Sequence, residues 1–306
     1  MMSLILRNIP IIEIIFRRFY YRLHDLGFIG KKNKIIDLSK KKSTNTNNRE
    51  KLEDYLNSLN IKQGDILIVH SSFDEMKNFD ITPSELMCIL RSLIGDDGTL
   101  VFPTFPILKK GKQSESIYDF KSKMCSTGLM PALFLRGKNV EKSLFPLNTL
   151  SASGPQAKDM MKDNLMTDLP HGIGSSWHYC SENHAKILLL GVDPSKTLTM
   201  VHVAEDIMDE NWPIKNWYLK EDIVIRYEEH HIQKEVRYRD QFWSRFMVSE
   251  YRTKWLKDNG ILVSTSFDGI PISFVQDSNK LVKSIVNNMR ESKVSFFRPP
   301  SKHWKK

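Results

Sequence analysis

The chain has 306 residues, 41% of them hydrophobic, and its 45 lysines and arginines outnumber its 36 aspartates and glutamates. This length and apolar content are sufficient to bury a core, in one large domain or two small ones. The net charge of +9 favours anionic or phosphate-bearing partners without identifying one. The three cysteines, Cys88, Cys125 and Cys180, are too far apart for a CxxC metal motif, and their odd number argues against a disulfide framework and fits a reducing cytoplasm.

Residues 1–45 differ from the rest of the chain. They are dense in Ile, Phe and Tyr, but charged residues from Arg7 to Arg22 interrupt them, which excludes a transmembrane helix and argues against a secretory signal. One interpretation is a basic amphipathic helix in which residues 1–30 make peripheral contact with an anionic membrane. The other is a helix packed on the protein itself or on a second subunit. Residues 39–50 indicate a linker, so we place the main domain at 46–306.

The first half of this domain alternates helices and strands. Apolar residues at helical spacing predict a helix over 49–60, and the apolar run 66–70 is typical of a strand buried on both faces. The stretch 82–95 predicts a second helix, with Thr82 as its N-cap. A second buried strand follows at 98–106 and ends at prolines.

The middle of the domain is less regular until a third strand appears. Residues 107–126 are polar and basic, and we interpret them as a long loop or lid. A short helix is expected over 128–137 and irregular structure over 143–155. The run AKILLLGV at 185–192 predicts the third buried strand.

The last third predicts a hairpin and two helices. Apolar alternation on either side of 228–231 favours an antiparallel hairpin, and amphipathic helices are expected over 240–260 and 281–292. The fold class is therefore α/β: a central mixed sheet flanked by helices, a small β-rich insertion around 221–240 and an N-terminal helical extension.

A histidine and a glutamate stand three residues apart, at His202 and Glu205, soon after the third strand. On a helix that begins near Met200 the two side chains share a face, so the carboxylate can orient the imidazole. It would also raise the basicity of the ring and suit it to take a proton near neutral pH. The same spacing fits a solvated pair on a surface helix. No metal is expected, because no HExxH motif or third ligand stands nearby.

Polar residues also follow the first strand, at His70, Ser71 and Ser72. In an open α/β sheet the carboxyl ends of the strands form the ligand-binding edge. A serine nucleophile served by the imidazole and carboxylate above would make a hydrolase, although the GxSxG motif is missing. Gly174 and Ser175 fit either amide donors for an oxygen ligand or an ordinary turn with a serine helix cap.

Five motifs occur in a fixed order along the chain. They are GDILIVHSS at 64–72, GTLVFPT at 98–104, PHGIGS at 170–175, LLLGV at 188–192 and T-x-x-H-x-x-E at 199–205. In content and order this series resembles the aminoglycoside 3-N-acetyltransferase family, over roughly residues 50–295.

The resemblance implies transfer of an acetyl group from acetyl-CoA to a primary amine. The family's base and its orienting carboxylate carry over to His202 and Glu205, so the amine attacks the thioester directly without a covalent enzyme intermediate. We place the oxyanion and acetyl-CoA contacts at His70, Ser71, Ser72, Thr104, Lys109 and Lys110, with Lys112 as a further cation. We place the acceptor contacts at Thr199, Asp206, Asp209, Gly174 and Ser175.

One segment departs from the family pattern. Where the family has a basic residue, Ser and His-Pro ahead of a further His-Ser, this chain has Phe145 and Asn148 in place of the histidines. We therefore expect acetyl transfer with a changed acceptor, an amino sugar of cell-surface polysaccharide synthesis, ahead of a true aminoglycoside. A non-catalytic member of the fold is a further alternative. No nucleic acid partner is expected, and a homo-oligomer stays open.

Overall fold

A seven-stranded mixed sheet forms the centre of the molecule. The computed structural model describes residues 10–26, 48–76, 79–111, 115–212, 214, 216–241, 247–291 and 296. In spatial order the strands are β10 (Leu262–Phe267), β11 (Ile270–Val275), β7 (Lys186–Leu190), β1 (Ile66–Ser71), β2 (Thr99–Pro103), β6 (Leu150–Ser153) and β5 (Glu141–Lys142). β1 is parallel to β2 and β7, and the other pairs are antiparallel. The predicted mixed sheet is confirmed.

Helices cover both faces of this sheet. The longer helices of the described chain, whether or not they lie on the sheet, are α1 (Pro10–Asp25), α2 (Asn48–Ser58), α4 (Pro83–Ile94), α9 (Val201–Met208), α10 (Ser249–Asp258) and α11 (Ser278–Arg290). The short ones are α3 (Phe73–Met76), α5 (Leu129–Phe134), α6 (Ala157–Met161), α7 (Ser176–Glu182), α8 (Pro194–Thr197) and a 3₁₀ turn at Asp209–Asn211. α2 and α4 bury Leu56 and Leu90 on one face, and α9 and α11 bury Val203 and Ile285 on the other.

The central strands are apolar on both sides because both faces are covered. Along β7, Ile187 and Leu189 lie in one core cluster, and Leu188 and Leu190 lie in the other. This is the arrangement that a continuous apolar run predicts for a strand between two helical layers. The three buried strands expected from the sequence are all present.

A capping box fixes the start of α4. The Thr82 hydroxyl accepts a hydrogen bond from the Glu85 amide at 3.2 Å, and the Glu85 carboxylate accepts one from the Thr82 amide at 2.8 Å. Pro83 occupies the first turn, where its missing N–H costs nothing. The predicted N-cap is confirmed.

The chain also forms a second, four-stranded sheet. Its order is β3 (Lys109–Lys110), β4 (Ser116–Asp119), β8 (Tyr218–Tyr227) and β9 (His230–Arg239). β8 and β9 form the predicted hairpin, with all ten residues of each strand paired. β4 pairs parallel to β8. The insertion is therefore larger than the sequence indicated.

Several expectations about the irregular segments are wrong. Residues 107–126 were expected to be a loop but contain β3 and β4, because Ile117 finds its partner more than a hundred residues away in β8. Residues 143–155 were expected to be irregular but contain β6, which pairs antiparallel with β2. The hairpin of β10 and β11, with its turn at Asp268–Gly269, was not predicted at all. Of the helix expected over 240–260, Gln241 is helical and Ser249–Asp258 form α10, whereas residues 242–246 lie outside the described residues.

The N-terminal helix α1 presents apolar side chains to solvent. Ile12, Ile15, Phe16 and Phe19 are between 43% and 62% exposed, and their spacing places them on one face. None of the described helices is long and apolar enough to cross a membrane. Most of the predicted linker lies outside the described residues, so the boundary at residue 46 stays a prediction.

Candidate active site

Several of the residues singled out from the sequence lie at the carboxyl edge of the three parallel strands. Ser71 ends β1, Phe105 follows β2, and the turn Thr197–Thr199 follows β7 and α8. α9 then starts at Val201, and the His202 amide donates to the Thr199 carbonyl at 2.9 Å. The sheet topology thus brings the ends of three strands and the first turn of α9 together, as expected for this class of sheet.

His202 and Glu205 form a direct pair on α9. Nδ1 of His202 lies 3.0 Å from Oε2 of Glu205, and the carboxylate is 3% exposed whereas the imidazole is 20% exposed. In the tautomer that donates from Nδ1 to the carboxylate, Nε2 of the ring is left to accept a proton. The predicted contact between the two side chains is confirmed, and the pair is not a solvated surface pair.

Two arginines from distant segments hold the Glu205 carboxylate. Nη1 of Arg239 lies 3.7 Å from Oε2, and Nη1 of Arg252 lies 3.9 Å from Oε1. Burial alone would raise the pKa of Glu205, but the contact with His202 and the charges of Arg239 and Arg252 outweigh it and lower the pKa to about 2. The carboxylate is therefore ionised throughout the neutral range.

Glu205 raises the basicity of His202 as the sequence predicts, but the net pKa of the imidazole is lower than expected. Burial lowers the pKa of the imidazole to about 4, and although Glu205 opposes this shift, the charge of Arg239 adds to it. Nη1 of Arg239 lies 3.3 Å from Nδ1 of His202. The sequence could not indicate this arginine, which stands 37 residues away. His202 is thus neutral at physiological pH and free to accept a proton.

A second histidine and carboxylate, not expected as a pair, stand beside the first. Asp206 accepts from the ring Nδ1 of His171 at 2.9 Å and from its backbone N–H at 3.0 Å. Tyr218 donates to the other oxygen of Asp206 at 3.1 Å. The ring of His171 lies 5.5 Å from that of His202, and Asn148 contacts its Nε2 at 3.2 Å. Asn148, which replaces a family histidine, therefore faces the site.

Three adjoining cavities meet at Lys196 and Thr199. The largest, about 430 Å³, includes His171, His202, Asp206, Glu221 and Tyr238 in its lining. The second, about 230 Å³, is lined by Val69, His70, Ser71, Pro103, Phe105, Thr127, Pro131 and Val192 as well as the shared residues. The third, about 170 Å³, is lined mainly by basic and hydroxyl side chains. The three are called here the acceptor, acyl and basic cavities.

Two of the predicted acetyl-CoA contacts line the acyl cavity. His70 Nε2 and Ser71 Oγ are buried there, and neither has a hydrogen-bond partner among the described residues. The Ser72 amide already donates to the Leu190 carbonyl at 2.9 Å. Thr104 is 1% exposed, is hydrogen-bonded to Ser151 at 2.7 Å and is not among the lining residues of the three cavities.

The predicted phosphate-binding lysines lie elsewhere. Lys109 pairs with Asp119 at 2.9 Å and Lys110 donates to Ser116 at 3.0 Å, both on the edge strand β3. β3 is the strand of the second sheet farthest from β9, which carries Arg239. Lys112 is outside the described residues.

Three of the predicted acceptor contacts also lie outside the three cavities. Ser175 caps α7 by accepting from the His178 amide at 3.1 Å, and Gly174 precedes it in a turn with φ of 89°. Asp209 forms two hydrogen bonds with Arg237, at 2.7 and 2.9 Å. Thr199 lines all three cavities.

Sequence analysis missed the basic members of the site. Lys196, Arg239 and Arg252 line the cavities around His202 but stand in no motif. Arg239 reaches the site through the pairing of β8 with β9, and Arg252 reaches it through the packing of α10. The sequence indicates neither.

Comparison with known proteins identifies the family. The model of the aminoglycoside 3-N-acetyltransferase family matches residues 68–289, and the chain belongs to this family. Aminoglycoside N(3)-acetyltransferase IV from Salmonella sp is 32% identical over 149 residues, which cover 48% of this chain and 54% of that protein. Aminoglycoside N(3)-acetyltransferase IX from Micromonospora chalcea is 24% identical over 183 residues, or 53% of this chain and 62% of that protein. The matches thus span little more than half of these relatives.

Solved structures of the family share the fold. The apoenzyme of aminoglycoside acetyltransferase AAC(3)-IVa has a TM-score of 0.67 at 24% identity, over 82% of this chain and 92% of its own. A binary complex of AAC-IIIb with CoASH has a TM-score of 0.65 at 17% identity, over 82% of this chain and 98% of its own.

Proposed function

We propose that the protein transfers an acetyl group from acetyl-CoA to a primary amine, with His202 as general base and Glu205 as its orienting carboxylate. The observation that carries this proposal is the His202–Glu205 pair, whose imidazole lines the acceptor and basic cavities, is neutral and retains an acceptor nitrogen. Family membership supports acyl transfer, and a solved family member was obtained with CoASH.

The proposed reaction is a direct attack. The amine nitrogen bonds to the acetyl carbonyl carbon, Nε2 of His202 takes the amine proton, and collapse of the tetrahedral intermediate breaks the bond to sulfur. The thiolate leaves and is protonated to CoA, and the acceptor becomes an amide. Ser71 Oγ has no base bonded to it among the described residues, which disfavours the serine hydrolase alternative.

The acyl cavity suits the thioester end of acetyl-CoA. Its walls include Phe105, Pro131 and Val192, which would pack against the pantetheine arm. The buried and unpartnered Ser71 Oγ and His70 Nε2 are polar atoms available to a carbonyl oxygen in this wall. Burial lowers the pKa of His70 to about 4, so at neutral pH it is a neutral donor or acceptor.

We propose an aminoglycoside as the acceptor class. The curated relatives are named as aminoglycoside acetyltransferases, and solved AAC(3)-IVa variants were obtained with apramycin and with a gentamicin. These comparisons favour the aminoglycoside over the polysaccharide amino sugar that the sequence placed first, and nothing in them supports the latter.

The proposed acceptor is tested by measuring release of free CoA from acetyl-CoA. The panel contains apramycin, gentamicin, simple amino sugars and sugar nucleotides with a free amine. We expect an aminoglycoside to give the highest kcat/KM. If only amino sugars are acetylated, the acceptor class is amino sugars and the aminoglycoside proposal is wrong. If acetyl-CoA binds but no amine is acetylated, the transferase proposal is contradicted.

We also propose that α1 makes peripheral contact with an anionic membrane. Its apolar face is exposed at Ile15, Phe16 and Phe19, so packing against the body of the protein does not cover these side chains. Residues 1–45 contain ten basic and three acidic residues, and they carry seven of the nine net positive charges. Apolar burial and charge attraction together are what a stable surface contact requires.

A further inference from the structure

Asn148 lies in the segment between β5 and β6 and has an unusual backbone conformation. Its φ is 46°, in the left-handed region that residues other than glycine seldom adopt, although asparagine is enriched there. Nε1 of Trp177 donates to the backbone carbonyl of Asn148 at 2.7 Å. Residues held in such conformations cluster at functional sites, where the surrounding structure fixes them. The side chain of Asn148 is thus presented from a fixed backbone, and it lines the acceptor cavity.

The contacts of His171 determine which way the amide of Asn148 points. The Asp206 carboxylate accepts hydrogen bonds from the backbone N–H and from Nδ1 of His171, at 3.0 and 2.9 Å. In the neutral ring that donates from Nδ1, the other ring nitrogen is an acceptor. Nε2 of His171 lies 3.2 Å from Nδ2 of Asn148, so the amide NH₂ group is the donor to it.

This orientation leaves the amide oxygen of Asn148 for a ligand. The hydrogen bonds of this residue use its backbone carbonyl and Nδ2, and Oδ1 has no partner among the described residues. An amide oxygen has two lone pairs and accepts from N–H or O–H groups. Because Trp177 and His171 already hold the residue, little conformational entropy is lost when Oδ1 binds a ligand.

Asn148 lies close to the proposed base. It contacts the ring of His171, which lies 5.5 Å from the ring of His202, and all three side chains line the acceptor cavity. A group bound by Oδ1 of Asn148 is therefore close, within the acceptor, to the amine that His202 deprotonates.

We propose that Asn148 is a specificity-determining residue whose Oδ1 accepts a hydrogen bond from an ammonium or hydroxyl group of the acceptor. This inference rests on the proposed transferase function for the existence of an acceptor, and it adds a group beside the reacting amine that the site recognises. His171 and Trp177 are positioning residues, which hold the amide and the backbone of Asn148.

Nitrogen NMR of the His171 ring tests the orientation of the amide and needs no ligand. In the native protein, at a pH where the ring is neutral, we expect the proton on Nδ1 and a hydrogen-bonded Nε2 without a proton. A proton on Nε2 would require Asn148 to face the ring with Oδ1, and it would overturn the proposal.

Binding of apramycin and the other amines of the panel, measured by calorimetry without acetyl-CoA, tests the contact itself. The variant is Asn148→Gly, because glycine adopts a φ of 46° without strain and lacks the amide. The matched control is Asn139→Gly, since Asn139 is exposed, has a φ of 55° and does not line the acceptor cavity. We expect native affinity in the control and about tenfold lower affinity in Asn148→Gly, with acetyl-CoA affinity unchanged in both. An amine affinity of Asn148→Gly within about twofold of native would contradict the contact.

Analogues of the best-bound amine that lack one ammonium or one hydroxyl group identify the partner of Oδ1. The analogue without that group binds the native protein less tightly than the parent amine, but it binds Asn148→Gly as tightly as the parent does. If every analogue loses as much affinity in the variant as in the native protein, Oδ1 contacts none of these groups and the proposal is wrong. Loss of CoA release with every amine, while binding still depends on Asn148, would defeat the proposed function alone. If no amine of the panel binds the native protein, both proposals are wrong.

Discussion

Arg239 controls the basicity of His202 because its charge lies beside the imidazole. The groups facing His202 are Glu205, which raises its pKa, and Arg239 and His171, which lower it, all within a buried setting that lowers it most. Replacing Arg239 by Gln removes one of the lowering charges, so the pKa of His202 rises above about 4. We expect the acid limb of the pH profile of kcat/KM to move to higher pH.

Arg237→Gln is the control for this shift. Arg237 lies on the same strand but pairs with Asp168 and Asp209. Its loss should leave the acid limb in place. An unchanged limb in Arg239→Gln would show that Arg239 does not act on the base.

The residue pair itself could be predicted from sequence, but its pKa could not. A spacing of three on a helix is enough to bring His202 and Glu205 together. The sign of the pKa shift depends on burial and on Arg239, which only the folded hairpin brings near. The same limit explains Asp209, which was expected to meet the substrate but is engaged by Arg237.

At the scale of elements, α1 gives the clearest prediction. We expect the full chain to float with liposomes that contain anionic lipid, and a chain beginning at Asn45 to stay unbound. A full chain with Phe16→Ser and Phe19→Ser should lose flotation while it keeps its basic residues. Equal flotation of the full and shortened chains would exclude this role of α1.

Elements with local signals were predictable, and those that depend on distant partners were not. The box of Thr82 and Glu85 marks the start of α4, and continuous apolar runs mark β1 and β7. The four-residue strand β4 has no such signal, since β8 supplies its partner. The hairpin of β10 and β11 carries a local signal, because Asp268–Gly269 is a dipeptide typical of a two-residue hairpin turn.

At the scale of the whole molecule, two buried neutral histidines make stability depend on pH. Burial lowers the pKa of His70 and of His202 to about 4 from an ordinary 6.5. Between these values the unfolded chain binds protons that the folded protein does not, so stability falls as pH falls. We expect each imidazole to cost about 2 kcal/mol of unfolding free energy between about pH 7 and pH 5. The lowered pKa of Glu205 changes the free energy of unfolding only below about pH 5.

Urea titrations at the two pH values test this dependence. His70→Leu should remove about half of the loss across this range, whereas His230→Gln, which replaces an exposed histidine of β9, should leave it as in the native protein. An equal loss in all three proteins would show that His70 does not contribute.

The central claim is that His202 is the base for acetyl transfer, and one comparison tests it most directly. The rate of CoA release with the best acceptor is measured for the native protein and for His202→Gln, together with the affinity of each for acetyl-CoA. The account predicts a kcat lower by about 100-fold or more with acetyl-CoA affinity nearly unchanged, because only proton removal is lost. A variant that retains a rate within about threefold of native would contradict the account.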